Sequence, residues 1–384
     1  MVYSFLSNPA EFLVAFLVFV IGVPVLSLSF LIVKFLVLSR LNPKKLEKAV
    51  SGRHILLTGA SKGLGRSVAL ILAKHGAHLT LVARGNDRNE DGKSSLDLIV
   101  EECRRLAPAH VEPAHIAGIP TDLMSLSSTV QMVRAAIQAR GPFYWVLGCA
   151  GGSVPSFFAD SVPSDPTKLA RFEREIQSNY LTAANVVGAV IHNSKHGGLA
   201  GNLDEGVEGR DLCVGIPIQD AQTLPKRFVF VGSMLSILSF AGYSSYSASK
   251  YALKGLVDGL RNEFIPFGTN VQLFIPNNID TPGYAEEMKT KPELTKTIEG
   301  VAGLLSPEHC AEVMLALILH DRPLIASDLL GEILRIYAQS MCVRPSPVTE
   351  GLALPLLNVI QIFWNFFAEQ DCAKYGRKIL GKQQ

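Results

Sequence analysis

Tyr246 and Lys250 stand four residues apart in Tyr246-Ser247-Ala248-Ser249-Lys250. On a helix that spacing puts both side chains on one face. An ammonium beside a phenol favours phenolate and draws the tyrosine pKa down from about 10, which makes the phenol a proton donor with a purpose. The same spacing also suits an exposed packing pair. The chemical reading therefore needs a redox cofactor, a group that polarises a carbonyl, and a route for substrate.

A cofactor loop is present. Thr58-Gly59-Ala60-Ser61-Lys62-Gly63-Leu64-Gly65 follows an apolar strand and opens a helix. In that context Gly59 permits a tight turn, Gly63 a close backbone approach, and Gly65 close helix–strand packing, with the helix N-terminus facing a pyrophosphate. A carboxylate usually follows the second strand when the ribose carries a free 2′-hydroxyl. This chain has Ala83-Arg84 there, with Arg88 beyond it and Lys62 in the loop. Three cations at one end suit a 2′-phosphate, so NADPH is expected over NADH.

The elements that must position these groups follow from the apolar pattern. Strands are expected at His54–Thr58, Leu79–Val82, Val111–Ala117, Tyr144–Leu147, Phe228–Val231 and Val271–Ile275, with amphipathic helices between them. This alternation predicts an α/β fold, a doubly wound parallel sheet covered on both faces. The expected division is 1–50 anchor and basic flank, 51–345 cofactor-binding domain with an insertion at 192–226, and 346–384 a C-terminal membrane-associated piece. The insertion is rich in Gly and Asp and reads as a surface excursion, or as an arm for a partner.

Phe12–Val33 carries no charge and is long enough to cross a hydrocarbon core of about 30 Å as a helix. Pro24 is expected to kink it. A cleaved signal peptide is the rival, but no basic region precedes the stretch. Glu11 lies on one side, and Lys34, Arg40, Lys44, Lys45 and Lys48 on the other, which places the rest of the chain in the cytosol. Gly351–Ala368 is also uncharged, and Lys374, Arg377, Lys378 and Lys382 follow it. It reads as a helix in the membrane interface or a re-entrant segment, or else as a dimer-interface helix.

Composition narrows the classes further. A net charge of +2 over 384 residues, with no long basic run, argues against a nucleic-acid partner. Cys103, Cys149, Cys213, Cys310, Cys342 and Cys372 are scattered without metal-ligand spacing, so no metal is expected and the thiols fit a reducing compartment.

The glycine loop and Tyr-x-x-x-Lys together resemble the short-chain dehydrogenase/reductase family, from about Ser51 to Asp321. The resemblance implies that Asp122-Leu123 contacts adenine, and that Cys149-Ala150-Gly151 stands for the family's Asn-x-Ala-Gly. It further implies that Asn179 positions a proton-relaying water, that Ser233 polarises the carbonyl, and that Thr281 touches the cofactor. Lys250 would hold the nicotinamide ribose. Tyr243 and Tyr251 lack a lysine four residues on and are set aside; Ser236 is the nearest rival to Ser233. Gly148 replaces a family Asn, and Pro276-Asn277 replaces a common Pro-Gly.

Within the family, Ile279-Asp280-Thr281-Pro282-Gly283-Tyr284-Ala285-Glu286-Glu287 resembles the D-T-P-G-[FY]-x-E-E signature of 3-ketodihydrosphingosine reductases, those of the fungal type in particular. That resemblance implies reduction of 3-oxosphinganine to sphinganine at the endoplasmic reticulum membrane, with Thr281–Gly303 forming a substrate lid and with pairing of copies into a homodimer or homotetramer. Other lipid ketones (retinoid, steroid, fatty acyl) and a non-catalytic dinucleotide-sensing scaffold are the alternatives.

Overall fold

The computed structural model describes residues 18–158, 172–195, 224–300, 303–338 and 346–359, with 367 and 370. Seven strands, β1 (His54–Thr58), β2 (His78–Ala83), β3 (Ile116–Pro120), β4 (Trp145–Gly148), β5 (Arg227–Val231), β6 (Asn270–Ile275) and β7 (Leu324–Ala326), form one sheet in the order β3-β2-β1-β4-β5-β6-β7. Every pairing is parallel. Parallel strands need crossovers, so both faces must be covered and each strand is buried on both sides. β1 shows this plainly, since all five residues are buried. Ile55 and Leu57 join Val68, Leu72 and Met314 on one face, while Leu56 joins Val146, Phe228 and Leu253 on the other.

The chain order runs outward from β1 to β3 on one side, then returns to β4 on the other. A crevice therefore opens at the carboxyl ends of β1 and β4, where an open α/β sheet binds its ligand. Thr58 pairs with Val82 and with Gly148, so three strands end level beneath the glycine loop.

Two expected elements differ. The third strand begins at Ile116, not Val111, because Pro113–His115 closes a 3₁₀ turn before it. β7 has only three residues behind Pro323, too short to stand out as an apolar run.

The apolar N-terminal helix spans Val20–Leu38 among the described residues and is long and apolar enough to cross a membrane. Residues 12–17 of the expected span lie outside the described residues. Its C-terminal end docks on the domain: Phe35 enters the main core, and Leu31 packs with Ile336, Ala353 and Leu357. Ala353 and Leu357 belong to a helix over 347–359, so the first part of the expected C-terminal segment meets the apolar helix; 360–366, 368, 369 and 371–384 lie outside the described residues. A buried charge cluster fixes this helix: Arg335 bonds Glu350 at 3.0 Å and Glu332 at 2.8 Å, and Arg322 bonds Glu332 at 3.0 Å. Most of the 192–226 segment, residues 196–223, likewise lies outside the described residues; the helix before it runs to Lys195.

Candidate active site

The glycine loop makes its cradle by steric exclusion. Gly59 has φ +68°, and a Cβ there would stand 2.7 Å from the Ala150 nitrogen. A Cβ on Gly65 would stand 2.2 Å from the Gly59 carbonyl. Only glycine lets the turn, the β4 end and the helix Gly63–Lys74 come this close. Thr281 closes the other side, with its methyl over Gly63 and its hydroxyl accepting from the Tyr284 amide at 3.0 Å. These features fit a dinucleotide, the pyrophosphate at the helix N-terminus.

At the adenosine end the cations are arranged differently from expectation. Arg84 is exposed at the end of β2. Lys62, however, pairs with Asp87 at 2.6 Å, and Arg88 donates to the Gly92 carbonyl at 2.7 Å. The Lys62 bond holds the Asp87 carboxyl down at about 2. Asp87 is a residue that sequence reasoning missed. Asp122 is exposed and accepts from the Met124 amide at 3.0 Å; Leu123 is buried. Ser61 is half-buried in the loop.

Tyr246 and Lys250 lie on the helix Ser244–Glu263, which starts just before the tyrosine. Ser233 ends the segment after β5, where its hydroxyl accepts from the Leu235 amide at 3.2 Å and, next to the Tyr246 phenol, draws its pKa down. Ser236 is fully buried, and its hydroxyl accepts from the Ser233 amide at 3.1 Å, so it supports Ser233 instead of competing with it. Lys250 donates to the Val231 carbonyl at 3.0 Å.

Asn179 lies in a π turn, Gln177–Leu181, a local widening common at functional sites. Its side chain accepts from the Gly152 amide at 3.0 Å, and donates to the Gly152 carbonyl at 2.9 Å and to Ser249 at 3.1 Å. Asn179 and Lys250 both border Gly151. The structure thus brings Asn179, Ser233, Tyr246 and Lys250 to one place.

The electrostatics reverse one expectation. The Tyr246 pKa is raised, not lowered: burial disfavours phenolate most, the Glu287 carboxylate adds to it, the Ser233 hydrogen bond opposes it, and Glu175 raises it further. Lys250 is itself pushed down to about 8 by burial. The phenol is therefore held in its protonated form.

Glu287 and Glu175 are the neighbours that spacing did not reveal. Glu175 accepts from Val154 N at 2.9 Å and from the Ser245 hydroxyl. Tyr243, set aside on spacing, is buried against the site, 5.8 Å from the Tyr246 ring. Tyr251 is 45% exposed and takes no part. Glu287 sits in the Asp280–Glu287 signature, the one signal that could have marked it.

Both family departures have local reasons. A Cβ on Gly148 would lie 2.4 Å from the Phe230 ring, so Phe230 fills the space of the usual asparagine side chain. Asn277 is anchored by Ser327 at 2.9 Å and Asp328 at 3.2 Å.

A sequence model of the short chain dehydrogenase family matches residues 53–200 and 226–292. The chain is 28% identical over 352 residues to a 3-ketodihydrosphingosine reductase of Yarrowia lipolytica, covering 91% of this chain and 84% of the relative. It is 29% identical over 303 residues to the PIGF/3-ketodihydrosphingosine reductase fusion protein of Schizosaccharomyces pombe. That match covers 78% of this chain and 52% of the fusion protein, so the chain spans about half of that relative's length. Among solved structures, levodione reductase superposes with a TM-score of 0.55 at 19% identity, over 73% of this chain and 97% of that one, which speaks to the fold.

Proposed function

Since the chain belongs to the short chain dehydrogenase family, we propose that it reduces the C3 ketone of 3-oxosphinganine to sphinganine, with NADPH as the electron source. The oxidoreductase class and a nicotinamide cofactor follow from the family; the substrate and the choice of NADPH are this reading. The observation that carries the chemistry is Tyr246 held in its protonated form next to Ser233, with Lys250 beneath the ring.

The nicotinamide cofactor, when bound, supplies a hydride to the carbonyl carbon. The residues that would hold it are Gly59, Ser61, Gly63 and Gly65 at the phosphates, Asp122 and Leu123 at adenine, Arg84 with Lys62 and Arg88 at a 2′-phosphate, and Lys250 and Thr281 at the nicotinamide end. Ser233 holds the carbonyl oxygen, and Tyr246 passes its proton to that oxygen as charge develops. A raised phenol pKa suits this direction, because the tyrosine enters the step protonated. Lys250 and Asn179, both beside Gly151, line the path by which a proton returns to Tyr246.

The relatives named 3-ketodihydrosphingosine reductase support the substrate. The apolar helix Val20–Leu38 supports attachment at the membrane, where a long-chain ketone resides. The basic residues Arg40 to Lys48 at its inner end support a catalytic domain (51–345) facing the cytosol from the endoplasmic reticulum, between an anchor (1–50) and a membrane-associated tail (346–384).

Incubation of the purified protein with NADPH tests the substrate. Turnover of 3-oxosphinganine to sphinganine is expected; turnover of a retinoid or steroid ketone with none of 3-oxosphinganine refutes the reading.

A further inference from the structure

The mechanism leaves unused one carboxylate on Tyr243, the ring next to Tyr246. Glu287 lies on the helix Pro282–Thr290, where its Oε1 accepts from the Tyr243 hydroxyl at 2.5 Å and pairs with Lys291 at 3.1 Å. Lys291 is fully buried and also pairs with Glu299 at 2.7 Å. One ammonium thus serves two carboxylates, and a net negative charge remains. The Oε2 of Glu287 makes no hydrogen bond among the described residues, and the residue is only half-buried. Tyr243 joins the two centres: its ring lies 5.8 Å from that of Tyr246.

The proposed substrate carries its ammonium on the carbon next to the reacting carbonyl. Whatever binds that ammonium must stand beside the phenol and carry the opposite charge. Lys250 has the wrong sign. Glu175 is 5% exposed and has both oxygens engaged, by the Val154 amide and the Ser245 hydroxyl. Of the two carboxylates felt by Tyr246, only Glu287 has an oxygen to offer.

We propose that Glu287 binds the ammonium of the 2-amino ketone and selects for it over neutral ketones, with Tyr243 and Lys291 fixing its orientation. The assignment rests on the sphingoid reading given above. A neutral ketone forgoes this charge-assisted bond, so discrimination resides in the amine as well as in the acyl tail.

The test compares kcat/KM for 3-oxosphinganine with that for its N-acetyl derivative, in the full-length protein with NADPH. In Glu287→Gln the ratio is expected to fall about 10- to 100-fold, chiefly through KM of the amino ketone. Glu299→Gln removes the same charge from the cluster but leaves the Glu287 oxygen in place, and is expected to keep most of the ratio. If Glu287→Gln does not fold, Glu287→Asp retains the charge and withdraws it by one methylene, and the ratio is again expected to fall. An unchanged ratio in the Glu287 variants, or an equal fall in Glu299→Gln, overturns the assignment. Wild-type protein that does not turn over 3-oxosphinganine overturns the sphingoid reading itself, and the assignment with it.

Discussion

The Lys250 ammonium stands 5.6 Å from the centre of the Tyr246 ring and gives its hydrogen bond to the Val231 carbonyl at 3.0 Å. The lysine therefore faces the ring while its hydrogen bond goes to the backbone. Burial lowers its pKa to about 8, so the cation is present below that pH and is lost above it. The kcat/KM for ketone reduction is expected to fall as pH rises through about 8. Lys250→Arg keeps its proton over that range, and should remove this limb even at reduced activity. A limb that persists in the variant assigns the titration elsewhere.

Cofactor choice is tested at Arg84 and Asp87. Arg84→Ala is expected to raise KM for NADPH about tenfold or more, with a smaller effect on NADH. Asp87→Asn frees Lys62 from its 2.6 Å ion pair and is expected to tighten NADPH binding. Titration with both cofactors checks this; equal changes for the two remove the 2′-phosphate from the argument.

Gly148 tests the packing at the end of β4. Gly148→Asn places a Cβ 2.4 Å from the Phe230 ring and is expected to cost about 1–3 kcal/mol in stability. Pairing it with Phe230→Leu should return part of the loss. A denaturant midpoint unchanged by Gly148→Asn alone contradicts this account of the departure.

The C-terminal helix over 347–359 is tested at Glu350. The Glu350 side chain is fully buried on Arg335 at 3.0 Å. Glu350→Ala leaves two buried arginines facing one glutamate, and is expected to cost about 3–5 kcal/mol. Denaturant unfolding in detergent, together with protease sensitivity of this helix, measures it. An unaltered midpoint shows that the apolar contact with Leu31 and Ile336 holds the helix alone.

Much of the fold was legible because parallel strands are buried on both faces and read as apolar runs, as in His54–Thr58 and Phe228–Val231. β7 was not, since three residues make no run, and β3 was misplaced because the Pro113 turn is apolar too. At the site, Tyr246 and Lys250 were legible from helical spacing. The direction of the tyrosine shift was not, because it depends on burial and on the charges of Glu287 and Glu175, which belong to other elements. Lys62 and Arg88 read as free cations; their engagement with Asp87 and Gly92 is tertiary. Tyr243 shows the limit of a spacing rule, since it discards a residue whose contact is made across the fold.

The central claim is that Tyr246 delivers the proton to the ketone of 3-oxosphinganine, and Tyr246→Phe tests it most directly. Tyr246→Phe deletes one hydroxyl and keeps the ring that packs on Tyr243. Its sphinganine formation with NADPH is expected to fall at least about 10²-fold in kcat while NADPH binding, read by fluorescence, is retained. Sphinganine production by Tyr246→Phe at the wild-type rate would contradict the account.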